Sequence, residues 1–185
     1  MTLASRPETT ERLSRIRSLI RNIPDFPQPG VQFKDITPLL ADAVGFEDVI
    51  DELAERIAPD LDAICGIESR GFIFAAPLAV RLGLGFIPIR KPGKLPAPTY
   101  DQNFALEYGE GALNIHQDAL RPGQKVLLID DLLATGGTLA AAVKLIQRER
   151  AHVTQVQVVI ELTDMPGRQA VADVGVEDLV SLVRY

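Results

Sequence analysis

The sequence predicts an α/β fold built on a central, mostly parallel five-stranded sheet flanked by helices. Three observations carry that expectation. Short apolar runs of strand length alternate with helical stripes, the βα order that a parallel sheet requires. One of the runs, Val126-Leu127-Leu128-Ile129, is apolar without interruption, as a strand buried on both faces would be. It ends in two carboxylates and a glycine-rich turn, and open α/β sheets bind ligands at the carboxyl ends of their strands.

Along the chain, Thr10 to Asn22 reads as a basic amphipathic helix with Leu13, Ile16, Leu19 and Ile20 on one face. Pro24, Pro27, Pro29 and Gly30 then form a rigid loop before the segment Val31 to Ile36. Phe46, Val49, Ile50, Leu53 and Ile57 make a second helical stripe. Asp62 to Ile67 is a strand, followed by Glu68-Ser69-Arg70-Gly71 and an apolar helix from about Phe72 to Leu82. Gly85 to Arg90, Lys125 to Ile129, Val153 to Ile160 and Asp178 to Arg184 complete the five strands. Helices are expected over Gly137 to Arg150 and Met165 to Asp173. The stretch from Lys91 to Gln124 breaks the alternation: Pro92, Pro96 and Pro98 oppose a helix, and Phe104 to Tyr108 alternates weakly like an edge strand. Long connections of this kind are usually functional, and a lid is the reading adopted.

At 185 residues the chain suits one domain with a proper core. The segment Met1 to Arg15 lacks a signal-peptide h-region and no apolar run reaches membrane-spanning length, so a cytoplasmic protein is expected. A net charge of −6 argues against nucleic acid as the main partner. The single cysteine, Cys65, excludes an intramolecular disulfide and sits in an apolar run, which suits a buried structural thiol. His116 and His152 have no metal-ligand spacing.

The chemistry gathers at the strand ends. Asp130 and Asp131 can accept hydrogen bonds from two vicinal hydroxyls. Backbone amides of Ala134-Thr135-Gly136-Gly137-Thr138, at the start of a helix, make a pocket for a phosphate. Hydroxyls and a phosphate read a few residues apart describe a ribose 5-phosphate. The plainer alternative is a strand-turn-helix whose glycines serve the turn and whose carboxylates serve the helix end. Neither a Gly-Lys-Ser/Thr nor a Gly-x-Gly-x-x-Gly pattern is present in the loop. At Glu68-Ser69-Arg70-Gly71 a helix N-terminus beside a guanidinium suits a pyrophosphate. The basic cluster Arg90-Lys91-Pro92-Gly93-Lys94 follows a strand and so falls on the same side of the sheet.

The arrangement strand-Asp-Asp-x-x-Ala-Thr-Gly-Gly-Thr-helix resembles the phosphoribosyl pyrophosphate (PRPP) motif of the type I phosphoribosyltransferases. With Pro24 to Ile36, Arg90 to Pro96 and Leu106-Glu107-Tyr108-Gly109, the resemblance extends to the adenine-specific branch over nearly the whole chain. It implies a single phosphoribosyltransferase domain over residues 1–185, with a hood over 1–37 and a flexible lid over 91–108. The implied reaction is adenine plus PRPP giving AMP and diphosphate, in purine salvage, with Mg²⁺ bound mainly through the PRPP, near Asp130 and Asp131.

Residue by residue, the resemblance puts Phe33 against the purine, Gln32 and Lys34 at the adenine edge through their backbone, and Leu132 on the opposite face. Asp130, Asp131 and the loop from Ala134 through Thr135, Gly136 and Gly137 to Thr138 fall on ribose and 5′-phosphate. Glu68, Ser69, Arg70, Arg90, Lys91 and Lys94 fall on pyrophosphate, in a loop where the family often carries a non-proline cis peptide, here expected within Glu68 to Arg70. Glu107 resembles the catalytic carboxylate and Tyr108 belongs to the lid. The resemblance also implies a homodimer in which Lys94 serves the neighbouring site. Lys34 and Glu68 depart from the commoner Arg and Asp. Two other readings remain: a xanthine or other purine phosphoribosyltransferase, and a PRPP- or purine-sensing regulator, for which about twenty residues before the Pro-rich loop leave too little room for a helix-turn-helix domain.

Overall fold

The structure, a computed structural model, describes residues 8–105 and 110–185. The chain divides into two compact units, Met1–Glu55 and Arg56–Tyr185.

In the N-terminal unit, α1 (Thr9–Ser18) is followed by β1 (Arg21–Pro24), β2 (Gln32–Asp35), α2 (Thr37–Ala41) and α3 (Ala43–Glu55). The helix expected to reach Asn22 stops four residues short, because Arg21 to Pro24 pairs antiparallel with β2 from Arg21↔Asp35 to Pro24↔Gln32. Asp35 secures that ribbon and starts α2. It accepts the Thr37 N–H at 2.9 Å and the Arg21 guanidinium at 2.6 and 3.1 Å, bonds that lower its carboxyl to about 2. Arg12, 4% exposed, ties α1 to α3 through Glu52 at 2.5 Å and Glu55 at 2.9 Å.

The second unit contains β3 (Ala63–Ile67), α4 (Arg70–Leu82), β4 (Gly85–Ile89), β5 (Thr99–Ala105), β6 (Glu110–His116), β7 (Lys125–Leu133), α5 (Gly137–Arg148), β8 (His152–Glu161), α6 (Gly167–Ala172) and β9 (Leu179–Arg184). Five of these strands form one parallel sheet in the order β4-β3-β7-β8-β9. The expectation of a five-stranded sheet holds, and every pairing in it is parallel. Right-handed crossovers running in opposite directions from the centre put α4 on one face and α5 and α6 on the other; α5 and α6 pack on each other. Val126 to Ile129 are 0% exposed, with Cys65 equally buried beside them on β3.

The chain runs from β3 outward to β4, then returns to place β7 on the other side of β3. The carboxyl ends of β3 and β7 are therefore the topological switch point of the sheet, where the flanking connections part and leave a crevice. β7 is longer than its apolar run suggests. It pairs with β3 only as far as Gly66↔Ile129, but continues along β8 to Leu133↔Glu161. Asp130 and Asp131 therefore lie within the strand, where its β3 partner has already turned away.

The segment after β4 is more ordered than a lid of irregular backbone. β5 and β6 form an antiparallel hairpin, with Leu113 and Ile115 buried at period two. Arg90 and Asn114 exchange backbone hydrogen bonds at 2.9 and 2.7 Å, joining the hairpin to the end of β4. On α5, Arg148 lies 4.6 Å over the Tyr100 ring and donates to the Asp101 carbonyl at 2.9 Å. Among the described residues no helix is long and apolar enough to cross a membrane.

Candidate active site

The switch-point crevice is a cavity of about 460 Å³ in the second unit. Glu68, Ser69, Arg70, Lys91, Asp130, Asp131 and Thr138 line it, and a smaller recess of about 150 Å³ shares Arg70, Asp130, Asp131 and Thr138 and continues along Leu132 to Gly136. Sequence segments about 60 residues apart thus meet at the end of two adjacent strands.

The β3–α4 turn carries a cis peptide between Glu68 and Ser69, within the expected tripeptide. α4 begins at Arg70, and Gly71 lets its first turn lie directly on β7: a Cβ there would come 2.7 Å from the Ile129 carbonyl and 3.0 Å from Asp130 Oδ1. This close approach brings Arg70 Nε to 3.1 Å from Asp131 Oδ2. Glu68 faces the other way. It accepts the Lys91 N–H at 2.9 Å and Arg90 Nε at 3.2 Å, while Arg90 Nη1 donates to the Lys94 carbonyl at 3.0 Å. The Lys91 N–H, then the Arg90 guanidinium, hold the Glu68 carboxyl below its ordinary range. Glu68 and Arg90 thereby fasten the basic loop to the mouth of the cavity.

The acid pair is the electrostatic centre of the site. Burial pushes the Asp130 carboxyl well up, and the neighbouring Asp131 charge adds to the effect. Burial also raises Asp131, against the pull of Arg70. Asp131 is 3% exposed, and its Oδ2 accepts no aligned hydrogen bond among the described residues. Asp131, buried and with an oxygen that lacks a hydrogen bond, and the half-buried Asp130 beside it suit donors from outside the protein, such as hydroxyls or a cation.

Past β7 the chain turns at Gly136, whose φ of +82° is a left-handed conformation suited to glycine, and enters α5 at Gly137. The first amides of that helix have no intrahelical acceptor. They open toward the recess, the geometry and partial charge that favour a phosphate.

A phosphoribosyl transferase domain model matches residues 40–175. The adenine phosphoribosyltransferase of Thermosynechococcus vestitus is 54% identical over 167 residues, covering 90% of this chain and 98% of that protein. The crystal structure of adenine phosphoribosyltransferase from Thermoanaerobacter pseudethanolicus superposes with a TM-score of 0.89 at 48% identity, covering 94% and 99% of the two chains. The enzyme of Saccharomyces cerevisiae, solved with an imino-altritol bisphosphate and adenine, gives 0.85 at 31% identity, covering 94% and 99%. The chain belongs to the adenine phosphoribosyltransferase family.

In this adenine phosphoribosyltransferase family member, the expected ribose, phosphate and pyrophosphate residues fall into one region. Three of them line neither the cavity nor the recess: Lys94, exposed on the loop after β4, Arg90, which pairs with Glu68, and Gly137, the first residue of α5. Gln32, Phe33 and Lys34 belong to the N-terminal unit. There Phe33 packs edge-on against Phe26 at 5.1 Å, Gln32 accepts from Asn22 at 2.8 Å, and Lys34 donates to Asn22 at 3.1 Å. Burial lowers the Lys34 pKa, with the charge of Arg17 acting in the same direction. Glu107 and Tyr108 lie outside the described residues.

The sequence reading missed part of the cavity wall. Phe104, Gly111, Ala112 and Leu113, from the hairpin, line the side facing the acids. The period-two pattern of Leu113 and Ile115 was the signal that could have found β6.

Phosphoribosyltransferases generally use Mg²⁺ with PRPP. Among the described residues no group of three or more His, Cys, Asp or Glu side chains could hold an ion. One or two carboxylates beside a phosphate pocket are the donor set that magnesium accepts when the substrate supplies the remaining oxygens. Asp130 and Asp131 fit that arrangement.

Proposed function

We propose that this chain transfers the 5-phosphoribosyl group of PRPP to adenine, giving AMP and diphosphate, as an enzyme of purine salvage. The observation that carries the reading is the switch-point crevice, where an acid pair, a guanidinium and a helix N-terminus meet around a cavity and a recess that share Arg70, Asp130, Asp131 and Thr138. That space suits hydroxyls flanked by two separate phosphate groups.

In the proposed mode, the amides from Ala134 to Thr138 and the Thr138 hydroxyl hold the 5′-phosphate. Asp130 and Asp131 accept the ribose hydroxyls, which relieves the cost of burying the Asp131 carboxylate. Ser69, Arg70 and Lys91 take the pyrophosphate, with Glu68 and Arg90 acting by holding the loop that presents Lys91. Magnesium bound on PRPP beside the acids would offset negative charge on the leaving group.

The ribose C1–pyrophosphate bond breaks, a bond forms between C1 and a purine ring nitrogen, and that nitrogen loses its proton. Positive charge develops on the ribose, as in glycoside cleavage. Glu107 is assigned the purine proton. The resemblance assigns Phe33, Leu132 and the backbone of Gln32 and Lys34 to adenine. Backbone acceptors matched to the exocyclic amine would reject 6-oxopurines, which present an acceptor there. The hairpin wall, to which Phe104 contributes, keeps water from the activated C1. Support for adenine comes from the yeast relative solved with adenine.

We assign the exposed Lys94 to the neighbouring site of a homodimer. Its own cavity does not include it, and the Arg90–Lys94 bond fixes the backbone from which it extends. Nucleotide formation measured with adenine, hypoxanthine, guanine and xanthine in turn tests the assignment. AMP should dominate; a larger xanthine product would move the chain to the sibling activity, and no product with any purine would leave a sensor.

A further inference from the structure

The loop proposed to hold the 5′-phosphate does not stand alone, and its support comes from a part of the chain that neither the motif nor the resemblance assigned. α6 packs its first turn against the loop backbone to backbone. A Cβ on Gly167 would collide with the Ala134 carbonyl and come within 2.6 and 2.7 Å of the Leu133 side chain. Reciprocally, a Cβ on Gly136 would fall 2.7 Å from the Gly167 carbonyl, 2.8 Å from Ala170 Cβ and 3.0 Å from Gly167 Cα. Backbone meets backbone between Gly136 and Gly167, with the Leu133 side chain and the Ala170 Cβ packed beside them.

The next residue prevents α6 from yielding. Arg168 makes a two-pronged pair with Glu161 at 2.5 and 2.8 Å and donates to the Leu179 carbonyl at 3.0 Å and the Ser181 hydroxyl at 3.3 Å. These partners lie on β8 and β9, and the Glu161 side chain is only 6% exposed. Such bidentate pairs hold an orientation as well as a distance. The helix is thus pinned to the sheet on one side and pressed on the phosphate loop on the other.

We infer that Gly167, held in place by Arg168, is a positioning residue that sets the curvature of the Ala134–Gly137 loop for the 5′-phosphate. This rests on the assignment of that loop to the phosphate. Gly167 touches no substrate atom. Its lack of a side chain lets α6 act as a mould for the loop, and the Arg168–Glu161 pair keeps the mould at fixed distance.

The test is direct binding by calorimetry to the intact protein, with ribose 5-phosphate and inorganic diphosphate as separate probes. Gly167→Ala should weaken ribose 5-phosphate by about tenfold or more, the scale of a sub-ångström misplacement in a preorganised site. Diphosphate affinity should stay unchanged, because the β3–α4 turn is not touched. In turnover, the KM for PRPP should rise while the KM for adenine holds, a split that general loosening of the fold would not produce. If Gly167→Ala fails to fold, Ala170→Val presses the same loop from a half-buried position and should shift the same constants.

Unchanged ribose 5-phosphate affinity, or equal weakening of both probes, overturns the inference. Thr138→Ala, measured in parallel, separates the two levels. Weakening by Thr138→Ala without weakening by a folded α6 variant overturns the role of Gly167 and leaves the loop assignment standing. No effect from either overturns both.

Discussion

Glu68→Gln isolates the charge that fastens the basic loop to the β3–α4 turn. The substitution keeps the shape and can still accept the Lys91 N–H at 2.9 Å, but only as a neutral bond. A charge-assisted bond exceeds a neutral one by about 1 kcal/mol. The Arg90 pair, with side chains 32% and 15% exposed, contributes about 0.5 kcal/mol after screening. Together the loss is about 1.5 kcal/mol, which lowers the thermal midpoint of a chain this size by about 3–6 °C.

The folded-state pKa of Glu68 lies below its ordinary value of 4.5. Its stabilisation is therefore present above the unfolded pKa and is lost as pH falls through the folded one. Thermal denaturation followed by circular dichroism from pH 8 downward should show the gap between wild type and variant at neutral pH. The gap should shrink as pH falls below the ordinary value and close once it has passed through the lowered folded-state one. A gap that persists undiminished into acid, or none at pH 7, would refute the assignment of the stability to the Glu68 charge. The PRPP KM of the variant should rise several-fold, since Lys91 loses part of its anchorage.

Glu107→Leu should lower turnover by about 10²–10⁴ while leaving PRPP affinity nearly intact; wild-type turnover in that variant would remove Glu107 from the mechanism. Asp131→Ala takes away a buried carboxylate proposed to accept the ribose hydroxyls, and with it the partner of Arg70, so PRPP binding should weaken; an unchanged dissociation constant counts against the ribose assignment. Leu128→Ala, at a 0% exposed position in the central strand, should cost about 3–5 kcal/mol in chemical denaturation without changing substrate preference. A cost under about 1 kcal/mol would mean that the β7 core is less tightly packed than its burial indicates.

Much of the site was legible because its groups are contiguous in the chain. Val126 to Ile129 announced a buried strand, Asp130-Asp131 an acceptor pair, and Ala134 to Thr138 a phosphate turn, each from local chemistry. Elements whose existence depends on distant partners were harder to read. Arg21 and Asn22 could extend the helix by their local chemistry and join a strand only because β2 lies beside them. β6 was overlooked because its alternation starts with the small residues Gly111 and Ala112. The apolar run by itself ends β7 at Ile129, since carboxylates disfavour strands, yet β8 carries it four residues further.

What this sequence determines alone is the list of chemical parts and the order of strands and helices, because side-chain chemistry and hydrophobic period are local properties. The tertiary structure decided where those parts meet. Placing β7 on the far side of β3 opened the switch-point crevice, set Arg70 against Asp131 and brought the hairpin wall to face the acids. It also placed Gly167 under a loop more than thirty residues upstream, a contact that no local pattern encodes because it consists of backbone meeting backbone.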